Sequence, residues 1–204
     1  LFKLRSMLGR RTGNEQQRDP FARREQTSGS DNVVPLPDRG AGATGDDPAD
    51  AAATPLDADI NKIRMADRNF DPPMFLTGAK AAFELIVLAY AKGDLETVQP
   101  YVAPDVFDSF SDAVKEREEE GEVLETKLYS IRSADLTGAE MRGREARVTV
   151  TFVSEQNNVT RNAEGVIVDG DTTSREVVTD VWTFARDTKS DDPNWILVET
   201  GADD

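Results

Sequence analysis

Carboxylates are almost the only catalytic instruments this chain carries. Its 204 residues include no histidine and no cysteine. The commonest general base, the commonest metal ligand and every thiolate nucleophile are therefore missing. What remains is 39 Asp and Glu. A carboxylate becomes a useful acid or base when burial raises its pKa, and the residue best placed for that is Asp180. It shares one face of an alternating stretch with Val178, Trp182 and Phe184, while Val177, Thr179, Val181, Thr183 and Ala185 share the other. If the first face lines a cavity, Asp180 is desolvated there. Phe83 and Tyr90 of a preceding helix are then further pocket candidates, and Tyr90 or Tyr129 is the available acidic partner. The alternative is a cross-strand pairing of Asp180 with Arg147 or Arg161, or a place at the rim, which gives it no catalytic part.

Other acidic sets carry less. Asp169-Gly170-Asp171 begins like a calcium loop, but the glycine is misplaced and no Glu falls at the twelfth position. Asp187, Asp191 and Asp192 crowd a turn, where Asp is favoured for its hydrogen bonds to local backbone. No glycine-rich phosphate loop follows a strand, and no serine has an evident base. Neither a metal nor an organic cofactor is implied.

Charge is divided along the chain. Lys3, Arg5, Arg10, Arg11, Arg18, Arg23 and Arg24 face only Glu15 and Asp19 within residues 1–24, a balance of +5. The whole chain carries −15, so residues 25–204 carry −20. A cationic head on an anionic body suits a negatively charged surface such as lipid headgroups. At roughly 1 kcal/mol per cation near such a surface, Lys3, Arg5, Arg10 and Arg11 act as an auxiliary to an anchor. Leu1-Phe2 running into cations is the pattern that follows a membrane span on its cytoplasmic side, so the expectation is an anchor upstream of Leu1. An acid-poor, Arg-rich start also fits part of a mitochondrial presequence. Nucleic acid is not expected as a partner, because the body is acidic and the cations are not interleaved with aromatic residues.

Residues 14–56 read as a disordered linker. They hold Pro20, Pro35, Pro37, Pro48 and Pro55, four glycines and Phe21 as the lone aromatic, too little apolar surface to offset ordering entropy. Residues 57–204 have the size of one domain. Leu56, Ile60 and Ile63 predict a short helix capped by Asp57 or Asp59 and ending before Phe70. Asp71-Pro72-Pro73 is an N-cap followed by tolerated prolines. Leu76, Ala79, Phe83, Ile86, Val87 and Tyr90 then recur at helical spacing up to Gly93. The apolar run Ala79 to Ala91, short for a bilayer span, reads as a core helix. Asp94 opens a brief helix, and Pro104-Asp105 starts another, with Val106, Phe107, Phe110 and Val114 on one face. After Gly121 the period becomes two. Strands are predicted around Leu124 to Ile131 with imperfect alternation, at Ala146 to Phe152, on both sides of a turn at Asn162 to Gly165, at Val177 to Ala185, and at Trp195 to Val198. Helices followed by an antiparallel meander mean α+β, with the N-terminal helices packed on a curved sheet to form a cone.

Several separated segments resemble the Tim44-like domain of alphaproteobacteria. They are Phe152-Val153-Ser154-Glu155 with Val159-Thr160-Arg161, Trp182-Thr183-Phe184-Ala185-Arg186-Asp187, Ser190-Asp191-Asp192-Pro193-Asn194-Trp195, and Phe75-Leu76-Thr77-Gly78-Ala79-Lys80. Lys3 to Gly13 resembles the junction after the single N-terminal anchor of those proteins. The resemblance implies an NTF2-like cone. It also implies a membrane-associated protein related to the mitochondrial subunit that tethers an Hsp70 chaperone to the import channel and binds cardiolipin. The Pro/Gly/Asp-rich linker stands where that relative has a long charged helical region, so chaperone recruitment does not transfer with the likeness. In that relative, helices at the start of the domain contribute to lipid binding. The matching stretch here is Leu56 to Phe70, whose Ile60, Ile63, Met65 and Phe70 with Lys62, Arg64 and Arg68 would lie at a headgroup boundary, unless Ile60 and Ile63 pack on the domain.

Together these readings predict a non-enzymatic scaffold tethered to the bacterial inner membrane, with its domain facing the cytoplasm. It would dock a protein partner or lipid and serve protein translocation or membrane-complex assembly. A small-molecule enzyme using Asp180 is the competing expectation.

Overall fold

The computed structural model of the protein describes residues 54–202. The basic segment 1–13 and the linker up to residue 53 lie outside the described residues. The chain runs α1 (Pro55–Ala66), α2 (Pro72–Lys92), α3 (Leu95–Val98), a 3-10 turn (Gln99–Tyr101), α4 (Pro104–Glu119), β1 (Val123–Arg142), β2 (Glu145–Arg161), β3 (Ile167–Asp169), β4 (Glu176–Asp187) and β5 (Ile196–Ala202). The first helix already takes in Pro55 and Leu56, ahead of the boundary expected at residue 57. Thr54, rather than Asp57 or Asp59, is the N-cap of α1. Its Oγ1 accepts from the Asp57 amide at 3.2 Å, and the Asp57 carboxylate accepts from the Thr54 amide at 2.9 Å, a reciprocal capping box. The Thr54 hydroxyl, which donates to the same carboxylate at 2.7 Å, and then the Thr54 amide hold the Asp57 carboxyl below its ordinary pKa.

Helix α2 begins where Asp71 accepts from the Met74 amide at 2.8 Å and ends at Gly93, whose φ of 73° suits a residue without Cβ. It has 21 residues, so it extends the run Ala79–Ala91 by seven residues at the start and one at the end. Its length and hydropathy would allow it to cross a bilayer. In this fold Phe75, Ala79, Phe83, Ile86, Val87, Ala89 and Ala91 are buried instead, which makes it the core helix.

The strands form one antiparallel sheet in the order β1-β2-β4-β5, with β3 paired to β2. β1 is 20 residues long, far beyond the stretch expected around Leu124 to Ile131. Its imperfect alternation has a physical origin. Register shifts fall at Leu128/Ser130, Ile131/Ser133 and Leu136/Gly138, and each adds one residue to the strand and bends it. The residues packed toward the core are Leu128, Ile131, Ala134, Leu136, Ala139 and Met141. Every step of three in that series coincides with a bulge. The hairpin turn lies where predicted, with the Asn162 amide donating to the Val166 carbonyl at 2.9 Å.

Phe83 joins the helical layer to the sheet. Its ring stacks on Phe152 of β2 at 4.5 Å and packs at a tilt against Trp182 of β4 at 4.8 Å. On the far edge, the backbone before α4 fastens to β5 through the Ala103 amide and the Leu197 carbonyl at 2.8 Å. Helices on one face of a bent antiparallel sheet give the predicted α+β, NTF2-like arrangement.

Candidate functional site

Two places deserve the name of site, and the sequence pointed to only one of them. The first is the inner face of β4. Val178, Asp180, Trp182 and Phe184 do share that face, and the last three are buried. Asp180 stands opposite Phe152 and is 4% exposed. Its carboxyl makes no hydrogen bond or ion pair among the described residues, and burial pushes its pKa up to about 6. The arginine alternatives do not hold. Arg147 donates to Glu145 at 2.6 Å, and Arg161 faces Glu125 at 3.4 Å and donates to the Gly165 carbonyl. The proposed phenolic partners are engaged elsewhere. Tyr90 packs on Phe110 at 5.0 Å beneath the Arg117 guanidinium, its hydroxyl pKa raised by burial. Tyr129 lies between Lys127 and Arg175.

Sequence reasoning missed the polar companions of Asp180. Continuing the β2 alternation inward past Phe152 reaches Ser154 and Gln156, both buried and joined by a 2.8 Å bond from the Gln156 amide to the Ser154 hydroxyl. The Trp182 indole N–H is buried without an acceptor among the described residues. This end of the sheet is thus a polar patch inside an otherwise apolar layer. Phe83, Phe152 and Trp182 fill its neighbourhood with rings.

The second place is a groove of about 740 Å³ on the flank of α2. Of the five pocket candidates only Phe184 reaches it; Phe83, Tyr90, Asp180 and Trp182 do not. Its floor is an aromatic cluster. Phe75 meets Trp195 at 4.8 Å and Phe184 at 5.9 Å, and Phe70 meets Trp195 at 5.5 Å. One wall is α2, through Met74, Gly78, Ala82 and Leu85; the other is the turn from Ser190 to Trp195. Exposed Asp71 and Asp191 stand at the rim. Arg186, the one cation among the described lining residues, is bound to buried Asp67 at the end of α1. The same guanidinium donates to the Asp192 carbonyl at 3.0 Å, so it ties the turn to the α1–α2 corner. No sequence pattern pairs residues 67 and 186, and the groove depends on that pairing.

The membrane-facing candidates fare unevenly. Lys3, Arg5, Arg10 and Arg11 lie outside the described residues. Lys62 and Arg64 are exposed on α1, with Lys62 paired to Asp59 at 2.6 Å. Ile63 and Phe70 are buried in the core and Ile60 packs against it, so these three are not available to a headgroup layer. Met65, at 77% exposure, remains as the apolar member beside Lys62, Arg64 and Arg68. The Asp169–Asp171 stretch is a turn. Asp171 accepts from the Thr173 amide and hydroxyl at 2.7 and 2.8 Å, bonds that lower its pKa.

A bent antiparallel sheet carrying a core helix on one face defines an α+β domain of the NTF2-like kind. Residues 56–202 match the Tim44-like domain, and the chain belongs to that family. It is 24% identical over 144 residues to the probable mitochondrial import inner membrane translocase subunit tin-44 of Caenorhabditis elegans, covering 69% of this chain and 34% of that one. It is 22% identical over 125 residues to the mitochondrial import inner membrane translocase subunit TIM44-1 of Arabidopsis thaliana, covering 61% and 26%. The chain therefore spans about a third or less of the curated relatives it matches. Among solved structures, the intermembrane space region of chloroplast protein ARC6 is similar with a TM-score of 0.44 and 14% identity, over 66% of this chain and 97% of that one.

Proposed function

We propose that this protein is a non-catalytic docking module that works at a membrane, in protein translocation or in the assembly of membrane complexes. The observation that carries this reading is an open apolar groove, walled by small residues of α2, in a domain of the family to which translocase subunits belong. The groove takes a protein partner. The cations of residues 1–11, together with Lys62, Arg64 and Met65 on α1, meet anionic lipid. The membrane is the bacterial inner membrane and the domain faces the cytoplasm.

Flotation with vesicles of neutral or anionic lipid tests the membrane half. The full chain floats with the anionic vesicles, and reversing Lys3, Arg5, Arg10 and Arg11 to Glu reduces its flotation several-fold. Equal flotation of both forms removes the lipid role of the head. A photo-crosslinking residue in place of Met74 tests the groove by capturing a protein from native membranes. Adducts with lipid alone would reassign it.

A second reading keeps Asp180 as the acid of a small-molecule enzyme. It is supported by the Asp180 carboxyl, without a partner among the described residues, on the same strand face as the Trp182 indole, whose buried N–H has no acceptor among them. Asp180→Asn separates the two, because a catalyst loses turnover whereas a docking module keeps its partner.

A further inference from the structure

Val166, Ile167 and Val168, in and just before β3, are the one run of exposed large apolar side chains among the described residues. Val123 is exposed beside them, because Val123, Arg161 and Ile167 form one row across β1, β2 and β3. Among the described residues β3 pairs only with β2, so its other side is a free edge. Soluble proteins guard such edges with charge, proline, bulges or short length. β3 is short and bulged, which limits growth from chain to chain. Its outward side chains are nevertheless aliphatic and uncovered.

The backbone says which way the edge can pair. The Asn162 amide donates to the Val166 carbonyl at 2.9 Å, and Asn162 Oδ1 accepts from the Val166 amide at 2.9 Å. Both polar groups of Val166 therefore face inward. Directions alternate along a strand, so the amide and carbonyl of Ile167 point to the free edge. A second copy laid antiparallel there, with a two-fold axis at Ile167, sets Val166 against Val168, Gly165 against Asp169 and Glu164 against Gly170. Each acid meets a glycine, so no like charges stand opposite. Ile167 meets its own mate, and the amide of each donates to the carbonyl of the other, the closely spaced pair of an antiparallel ladder. The stretch from Glu164 to Gly170 is matched to itself.

We propose that two copies pair through β3 about a two-fold axis at Ile167, joining their sheets edge to edge. With exposures between 38% and 59%, the four aliphatic residues offer on the order of 300 Å² of apolar surface per copy. A standard stable interface buries roughly 800 Å² per partner, so this contact is weak and exchanging. The α2 groove is left free, since its Arg186 stands opposite Ala146 at the start of β2 and β3 lies at the end of that strand. The dimer carries two grooves, and a partner with two docking segments is held by avidity.

Sedimentation equilibrium of the full chain, from about 10 µM to about 1 mM, is the test. The mass rises from monomer towards dimer and no further. It rises more in about 0.5 M than in about 0.05 M salt, because both copies carry −15 and the contact holds no ion pair. Ile167→Lys and Ile167→Glu each weaken association at least tenfold, by setting like charges opposite one another. An equimolar mixture of the two recovers it, since Lys then faces Glu. Ile167 is exposed, and unchanged amide signals from α2 and β4 verify the fold of each variant. The chain has no cysteine, so Val166→Cys and Val168→Cys report the register. Under mild oxidation they cross-link when mixed, and at least threefold less when either is alone.

Four results overturn the proposal. A mass that stays monomeric throughout leaves an extended segment of another protein as the occupant of the edge. Association that both charged variants leave intact, and that Met74→Lys removes, moves the contact to the groove. Mixing that restores nothing excludes a two-fold at Ile167. Growth beyond the dimer excludes a closed pair. The docking role of the groove fails separately, in the crosslinking at Met74, and neither failure implies the other.

Discussion

Replacing Asp180 by Asn should change how the stability of the domain depends on pH, and in an unusual direction. In the fold this carboxyl holds its proton up to about pH 6, because it is buried opposite Phe152 with no partner among the described residues. In the unfolded chain it releases that proton near 3.8. The folded pKa is the higher one. Its contribution to stability is therefore complete below 3.8 and is lost as pH rises through 6. A difference of about two units at 1.36 kcal/mol each is worth about 3 kcal/mol, of which about 2 kcal/mol falls between pH 4.5 and 8. The assay is urea unfolding of the full chain at several pH values, wild type against Asp180→Asn. With m near 2 kcal/mol/M, the midpoint of the Asn variant should rise relative to wild type by about 1 M from pH 4.5 to 8. Taking the difference between the two proteins cancels the other acids. Asp57, Asp94, Glu155, Asp171 and Asp187 all have lowered pKa values from hydrogen bonds. Their contribution is present above the ordinary carboxylate range and disappears as pH falls through their folded values, the opposite trend at lower pH. Parallel midpoint curves would refute the argument and mean that Asp180 ionises in the fold as freely as in water.

Arg186→Met leaves the Asp67 carboxylate buried without its cation and releases the Ser190–Trp195 turn; a cost of about 3–5 kcal/mol is expected, read from thermal unfolding. Asp67→Asn added to that variant recovers part of it. Gly170→Ala is expected to disrupt the turn into β4, because φ is +83° and a Cβ there would meet the Asn158 carbonyl at 2.1 Å. Faster amide exchange in residues 162–171, with the core strands little changed, is the signature. Gly78→Ala should stabilise the domain by about 1 kcal/mol, since Gly78 is mid-helix with nothing within 4 Å of its added Cβ. An unchanged melting temperature would mean that α2 frays at that turn.

The sequence made the helices legible because their caps are local. Asp71 with its two prolines, Asp94 and Gly93 each announce an end within a few residues. The strands β2 and β4 were legible through alternation, which put Asp180, Trp182 and Phe184 on the correct face. β1 was read short because its inward residues advance by two or by three according to where bulges fall, and only the partner strand reveals those. The Asp180 environment was half visible. Its burial followed from its neighbours, but the absence of an arginine depended on Arg147 and Arg161 turning to nearer glutamates. The groove was not visible at all. It needs Phe70, Phe75, Phe184 and Trp195 to meet and Arg186 to close on Asp67, contacts across more than a hundred residues that carry no periodic signal.

The location of the groove follows from how α2 divides its surface. The face toward the sheet carries Phe75, Phe83, Ile86 and Val87, and Phe83 with Phe152 and Trp182 fills the space between helix and sheet with rings. The flank beside the 190–195 turn carries Gly78, Ala81 and Ala82, side chains too small to fill the gap that the aromatic floor leaves. The volume lies outside the sheet layer and opens to solvent. It is reached by a rim of carboxylates and not by Asp180. A ligand seated there touches Trp195 and Met74 without approaching Asp180. Docking and any chemistry at Asp180 are therefore separable by substitution, and a change that fills the flank of α2, such as Ala82→Leu, should close the first while leaving the pH response of the second intact.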